Sequence, residues 1–221
     1  MRQTRAVLLD LDGTLIDSRP GIAASCRAAL RALGHTPDDA FDITPFIGPP
    51  LEDVMRAVLR TFGDDRLDDA VTAYRQHYGE SGFLGSTLYP GVAGALDDLR
   101  QAGVRLTIAT SKREVFARRI LEHLELAHVF AGIYGSVPGG ARDHKPELLA
   151  HIVAGEDLQP SHAVMVGDRR HDIAGAHAVG MRGVGVLWGY GSRDELAAAG
   201  AHRLVERPAD LAGAVLAMLD G

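Results

Sequence analysis

Four short groups of polar residues stand out in this sequence, because each follows an apolar run or opens an apolar helical pattern. They are Asp10 and Asp12, Thr110-Ser111-Lys112, Lys145, and Asp168-Arg169-Arg170-His171-Asp172. Carboxylates are costly in a protein interior unless they are paired. Acids at the ends of buried runs therefore ask for a compensating cation or a catalytic task. Three or four carboxylates turned toward one point make a site for a hard cation with oxygen ligands, Mg2+ by preference. A lysine and a hydroxyl beside that cation complete a trap for a phosphoryl group, whose spread negative charge needs such donors. In such a set one aspartate serves as nucleophile and forms a carboxyl-phosphate. The aspartate two residues away protonates the leaving oxygen and later activates water. Uncatalysed phosphate monoester hydrolysis is so slow that enhancements reach up to ~10²¹-fold. Covalent, acid–base and metal assistance together suit such a barrier.

Taken singly, each group has a plainer reading. Thr-Ser after a strand commonly caps a helix, a lysine before a proline is usually solvated, and Gly-Asp is a common turn. What brings them together is the order of the elements. Ala6-Val7-Leu8-Leu9, Val104 to Ala109 and Ala163 to Gly167 read as strands buried on both faces of a parallel sheet. A weaker strand is expected at Gly132 to Ser136 and another at Gly183 to Leu187. Helices are expected between them, over Val92 to Leu99, Val115 to Leu124, the stretch opened by Pro146, a stretch ending near Gly180, and one after Pro208. Strand and helix alternating in this way imply βαβ units. All four polar groups then fall where a doubly wound sheet gathers its functional side chains.

One block breaks the alternation. From Asp17 to Ser86 the apolar spacing is helical throughout. A first helix starts at Pro20 with a capping side chain in Asp17-Ser18 and stops at Gly34. Leu51, Val54, Met55, Val58, Leu59 and Phe62 form a second stripe, and Leu67, Val71, Tyr74 and Tyr78 a third. These stripes read as core. The expected organisation is a sheet domain over 1–16 and 87–221, with a helical domain over 17–86 inserted after the first strand.

Composition excludes several function classes. A chain of 221 residues with 46% hydrophobic content can bury one large core plus an insertion. Its formal net charge of −6 offers no basic stripe for a nucleic-acid polymer. Cys26 is the single cysteine, which excludes an intrachain disulfide and suits a reducing compartment. The apolar run near the N-terminus ends at Asp10, too early for a signal peptide, and no stretch approaches the ~18 apolar residues of a membrane span. A cytoplasmic protein without a membrane partner is expected.

The motifs Asp10-Leu11-Asp12-Gly13-Thr14-Leu15, Thr110-Ser111-Lys112, Lys145-Pro146 and Gly167-Asp168-Arg169-Arg170-His171-Asp172 resemble, in order, the four motifs of the haloacid dehalogenase-like hydrolases. The resemblance implies an α/β fold, a Rossmann-like doubly wound parallel sheet with an inserted all-helical cap domain. It implies Asp10 as nucleophile and Asp12 as acid–base. Thr110 and Lys145, with Ser111 beside them, would hold the phosphoryl group. Mg2+ would be bound by the Asp10 carboxylate, the Asp12 backbone carbonyl and Asp168, with Asp172 supporting the metal site. The block at 17–86 sits where the family's cap is inserted, and by analogy would close over the site, exclude water and choose the substrate.

An acid at Asp12 is similar to the phosphatase and phosphomutase branches, because the dehalogenating and phosphonate-cleaving branches lack one there. Phe46-Ile47-Gly48-Pro49-Pro50-Leu51, Tyr89-Pro90-Gly91 and Gly185 to Ser192 resemble the phosphoglycolate phosphatase group and its 5′-nucleotidase-like relatives. Ser111, where phosphoglycolate phosphatases often carry asparagine, tilts the resemblance toward the nucleotidase-like branch. The expected partner is a small phosphorylated metabolite. A sugar-phosphate phosphomutase and a non-catalytic module that binds a phosphorylated ligand stand as alternatives. The histidines from His123 to His177 match no zinc spacing. Arg169 and Arg170 read as partners of carboxylates and Trp188 as packing. Arg19 and Gly48-Pro49 are substrate-contact candidates by position alone.

Overall fold

The computed structural model describes residues 4–38, 41–140 and 142–220. Residues 1–3, 141 and 221 of the expected sheet domain, and residues 39 and 40 of the expected helical domain, lie outside them. The first strand, β1 (Ala6–Leu9), is buried along its whole length. Val7 and Leu9 join one apolar cluster, whereas Ala6 and Leu8 join a second on the opposite face. A strand that must satisfy two apolar layers has no polar position to spare, and that is why its sequence shows no alternation.

The chain next forms β2 (Ile16–Asp17), then α1 (Arg19–Ala32), α2 (Leu51–Thr61) and α3 (Leu67–Glu80), and returns through β3 (Thr87–Leu88). Between β2 and β3 the described residues form only helices and short turns. The three helices meet through Cys26 and Leu30, Met55 and Leu59, and Tyr74 and Tyr78, all buried. Burial pushes the Cys26 thiol up to about 12, so this cysteine packs as a small apolar residue. β2 and β3 pair antiparallel, Ile16 with Leu88 and Asp17 with Thr87. The two chain crossings into and out of the helical segment are thereby tied side by side.

The alternation then resumes through α4 (Val92–Gln101), β4 (Arg105–Arg113), α5 (Glu114–His123), β5 (Gly132–Ser136), α6 (Lys145–Gly155) and β6 (Ala163–Gly167). It ends with α7 (Arg170–Ala178), β7 (Arg182–Val186), α8 (Arg193–Ala198), β8 (Arg203–Val205) and α9 (Leu211–Leu219). Six of the described strands form a parallel sheet in the order β5-β4-β1-β6-β7-β8. The chain winds outward from β1 to β5, then returns to the other side of β1. β1 and β6 therefore flank the topological switch point, where open α/β sheets hold ligands beyond their carboxyl ends. Among the described residues no helix is long and apolar enough to cross a membrane.

Two local expectations need correction. β4 continues to Arg113 instead of ending at Ala109, because Arg113 pairs with Ser136 of β5 after a shift of register. Thr110-Ser111-Lys112 therefore lies inside an irregular strand end and does not cap a helix. Ser18 makes no side-chain cap on α1; Asp17 Oδ1 accepts the Arg19 amide instead, at 3.1 Å. The tail alternates once more, as expected, through α8 and β8, and Ser192 caps α8 by accepting the Glu195 amide at 3.1 Å.

Candidate active site

Asp10 follows β1, and its amide still donates to Val166 O of β6 at 2.9 Å. The strand pairing thus delivers Asp10 beside the end of β6, where Asp168 follows Gly167. Gly13 turns the chain with a φ of +85°, which a side chain adopts only with strain, and a Cβ there would run into Asp168 Oδ2. Gly167 is constrained in a similar way, since a Cβ would meet the Asp172 carboxylate. Asp172 sits in the first turn of α7 and accepts the Arg169 amide at 3.0 Å, which fixes its carboxylate. Asp168 is fully buried, accepts the Tyr190 amide at 2.7 Å through Oδ2, and accepts the Thr14 hydroxyl at 3.2 Å through Oδ1.

Asp10, Asp168 and Asp172 each offer a carboxylate oxygen within 4.8 Å of the others. Lys145, at the start of α6, inserts into this cluster. Its ammonium donates to Asp10 Oδ1 at 2.8 Å and to Ala109 O at 2.6 Å, and lies 2.8 Å from Asp172 Oδ1. All three N–H donors of the lysine are thereby engaged. Burial opposes the lysine's charge, but Asp10 and Asp172 outweigh it and raise Lys145 above its usual range. Burial also pushes Asp10 up to about 6, with Lys145 pulling against it and Asp172 adding to it. Asp168 is raised well above the usual carboxylate range, by burial first and then by Asp172 and Asp10.

Three buried carboxylates thus face one ammonium, and when all are ionised two negative charges stay uncompensated. An all-oxygen donor set with that deficit fits a hard divalent cation. The donors and the charge both match.

Asp12 lies outside this cluster and has its own cation. Its Oδ2 pairs with Lys112 Nζ at 2.9 Å, and Lys112 Nζ also donates to Tyr78 Oη at 2.8 Å. Burial disfavours the Lys112 charge, but Asp12 and then Tyr78 more than offset that, and Lys112 is held above its usual range. Asp12 Oδ1 is buried without a hydrogen-bond partner among the described residues.

A cavity of about 80 Å³ opens over these groups. Asp10, Asp12, Thr110, Ser111 and Lys112 line it from the sheet side, and Ile47, Gly48, Pro49, Tyr74, Arg75 and Tyr78 line it from the helical segment. Thr110 is buried, and its Oγ1 accepts the Lys112 amide at 3.2 Å. Of the candidates read from the sequence, the structure brings Asp10, Asp168, Asp172 and Lys145 into one cluster. It places Asp12, Thr110 and Ser111 around the cavity with Asp10. Gly48-Pro49 reaches the cavity wall, whereas Arg19 is exposed and pairs with Asp17 at 3.1 Å.

Three residues make contacts that the sequence does not announce. Tyr78 sits in an apolar stripe, and only its hydroxyl reaches Lys112. Tyr190 Oη accepts the Ser18 and Arg19 amides at 2.9 and 3.1 Å and donates to Asp17 Oδ1 at 3.0 Å, so one hydroxyl ties the chain entering α1 to the loop that holds Asp168. Arg169 pairs with Glu195 at 2.9 Å, as a charged loop suggests, but its guanidinium also donates to Ile47 O of the helical segment. An aromatic side chain between two glycines after a strand, Gly189-Tyr190-Gly191, was the available signal for Tyr190. Trp188 packs against the core, and its indole donates to Thr14 O at 2.9 Å.

Residues 7–186 match the family described as haloacid dehalogenase-like hydrolase. A 5′-nucleotidase from Pseudomonas aeruginosa is 41% identical over 208 residues, covering 93% of this chain and 91% of the relative. The tyrosine-protein kinase PtkA of Mycobacterium tuberculosis is 43% identical over 188 residues, 85% of this chain but 64% of that protein's length. A phosphoglycolate phosphatase from Neisseria meningitidis is 32% identical over 196 residues, covering 86% and 83% of the two chains. Among solved structures, one described as "a predicted phosphatase from Clostridium acetobutylicum" superposes with a TM-score of 0.90 at 32% identity, over 97% of this chain and 99% of that one.

Proposed function

Because the chain belongs to the haloacid dehalogenase-like hydrolases, we propose that it hydrolyses small phosphate monoesters with Mg2+ through a phosphoryl group carried on Asp10. The observation that carries this reading is the position of Asp10. It lies at the switch point of the sheet, open to the cavity, with Asp12 on the same cavity wall and Lys145 2.8 Å behind it.

In the first step an Asp10 carboxylate oxygen forms a bond to phosphorus, and the bond from phosphorus to the ester oxygen breaks. Asp12 gives its proton to that departing oxygen. In the second step water attacks the phosphorus, Asp12 takes the proton back from the water, and the Asp10 carboxylate is released with inorganic phosphate. Thr110 and Ser111 donate hydroxyls to the non-bridging phosphoryl oxygens, and the Lys145 ammonium balances charge beneath them. Asp10, Asp168 and the Asp12 backbone carbonyl would hold the Mg2+, with Asp172 supporting them. When bound, that ion supplies positive charge to the phosphoryl oxygens. Residues 17–86 act as a cap domain over a core of 1–16 and 87–221, and the cap walls of the cavity sort substrates.

A nucleoside 5′-monophosphate is the preferred substrate class in this reading. The 41% identity to a 5′-nucleotidase and the serine at position 111 both support it. A phosphate-release screen tests the reading, with nucleoside 5′-monophosphates, phosphoglycolate and sugar phosphates compared with and without Mg2+. Release should require the ion and vanish in Asp10→Asn. Mg2+-dependent release that persists in Asp10→Asn rejects the reading, and interconversion of sugar phosphates without release points to a mutase.

A further inference from the structure

We infer that Lys112, held in turn by Tyr78 of the helical segment, is a positioning residue that selects which oxygen of Asp12 exchanges the proton. The inference rests on the reading of Asp12 as the acid–base. Lys112 leaves β4 at its irregular end, where the ladder to β5 shifts register between Ala109 and Arg113. That irregularity turns its ammonium toward Asp12, and the ion pair engages Oδ2 alone, at 2.9 Å. Oδ1 of the same carboxylate is buried with no partner among the described residues, and Asp12 lines the cavity. A carboxylate with one oxygen pinned and the other unengaged presents a single orientation to a leaving group.

Tyr78 makes the arrangement depend on the helical segment. Its hydroxyl accepts from Lys112 at 2.8 Å, and its ring centroid lies 4.6 Å from the same nitrogen. The ring is itself fixed, stacked on Tyr74 at 5.4 Å and edge-on to Phe116 at 5.2 Å. Lys112 is therefore gripped between the sheet domain's Asp12 and a residue of α3. Withdrawal of α3 would leave the ammonium with one partner fewer and Asp12 less firmly oriented. A purely structural role would neutralise a buried acid and nothing more. The two roles differ in what happens when the leaving group needs no proton.

The test compares Lys112→Met and Tyr78→Phe with the parent on two substrates, an alkyl phosphate and 4-nitrophenyl phosphate, whose aryl oxide departs unprotonated. Phosphorylation is followed in single turnover with Mg2+ present. General acid catalysis contributes ~10²- to 10⁴-fold, so Lys112→Met should slow phosphorylation by the alkyl ester about 100-fold. Its effect on the aryl ester should be at least about tenfold smaller. Tyr78→Phe, which keeps the ring and its packing, should show the same pattern at about five- to tenfold on kcat, with KM changed less than about twofold. Equal losses on both esters, or no loss on either, overturn the inference. Should Lys112→Met fail to fold, Tyr78→Phe decides the matter. An Asp10→Asn control that retains turnover would reject the phosphatase reading. An inactive Asp10→Asn beside normal Lys112→Met and Tyr78→Phe variants would reject only the role given to Lys112.

Discussion

Lys145 places its ammonium 2.8 Å from Asp10 Oδ1, with both side chains withdrawn from solvent. The pair joins α6 to the end of β1, and through Asp172 it also joins α7. Lys145 is a buried cation set against a cluster of three acids, and its removal has a consequence for stability as well as for chemistry.

Replacing Lys145 with methionine should destabilise the protein by about 3–5 kcal/mol, since breaking a buried pair leaves uncompensated charge behind. Urea unfolding of the variant checks this. A loss below about 1 kcal/mol would mean that the three acids are neutralised by protonation at little cost.

Divalent metal binding should depend on pH in a defined direction. Asp10 is raised from 3.8 to about 6, and Asp168 is raised as well. A raised folded-state value means that the favourable contribution of Asp10 is complete below its unfolded value and is lost as pH rises through about 6. Mg2+ needs the ionised carboxylates, so it competes with those protons. The rise in Tm produced by Mg2+ should grow between about pH 5 and about pH 7.5. A shift that is flat or falls over this range, measured by differential scanning calorimetry, would contradict the cluster as the binding site.

Tyr190→Phe should release the start of α1. The hydroxyl accepts two amides and donates to Asp17. A net cost of about 1 kcal/mol per hydrogen bond predicts faster amide exchange at Ser18 and Arg19. Hydrogen exchange resolved to single residues measures it, and unchanged protection at both amides would show that Tyr190 does not hold this junction.

Much of this arrangement is legible in the sequence because it rests on local pattern. β1 is readable since a strand buried on both faces must be apolar throughout, and the two acids after it mark where burial ends. Asp168 and Asp172 follow another such run. The contribution of Tyr78 is not legible, because helical periodicity reports that the ring is buried and is silent on where the hydroxyl points. β4 runs past Ala109 because of pairing with Ser136, a long-range contact that the polar run Thr-Ser-Lys-Arg disguises. The partners of Tyr190, Asp17 to Arg19, lie far away in the chain, and only the closure of β2 on β3 and the winding of the sheet bring them together. The separate pairing of Asp12 with Lys112 is hidden for the same reason. Spacing alone groups Asp12 with Asp10, yet their side chains meet different cations.

The central claim is that Asp10 carries the phosphoryl group and Asp12 the proton. Asp12→Ala should fold and bind Mg2+ yet fail to turn over. With 4-nitrophenyl phosphate and Mg2+, it should release about one equivalent of nitrophenolate and stall, because the departing aryl oxide needs no acid whereas the attacking water needs a base. Acid quenching followed by peptide mass spectrometry reads the result directly. The account predicts one phosphoryl group on Asp10 in the Asp12→Ala protein and none in the Asp10→Asn protein. A phosphoryl group on another residue, or near-normal turnover in Asp12→Ala, would contradict it.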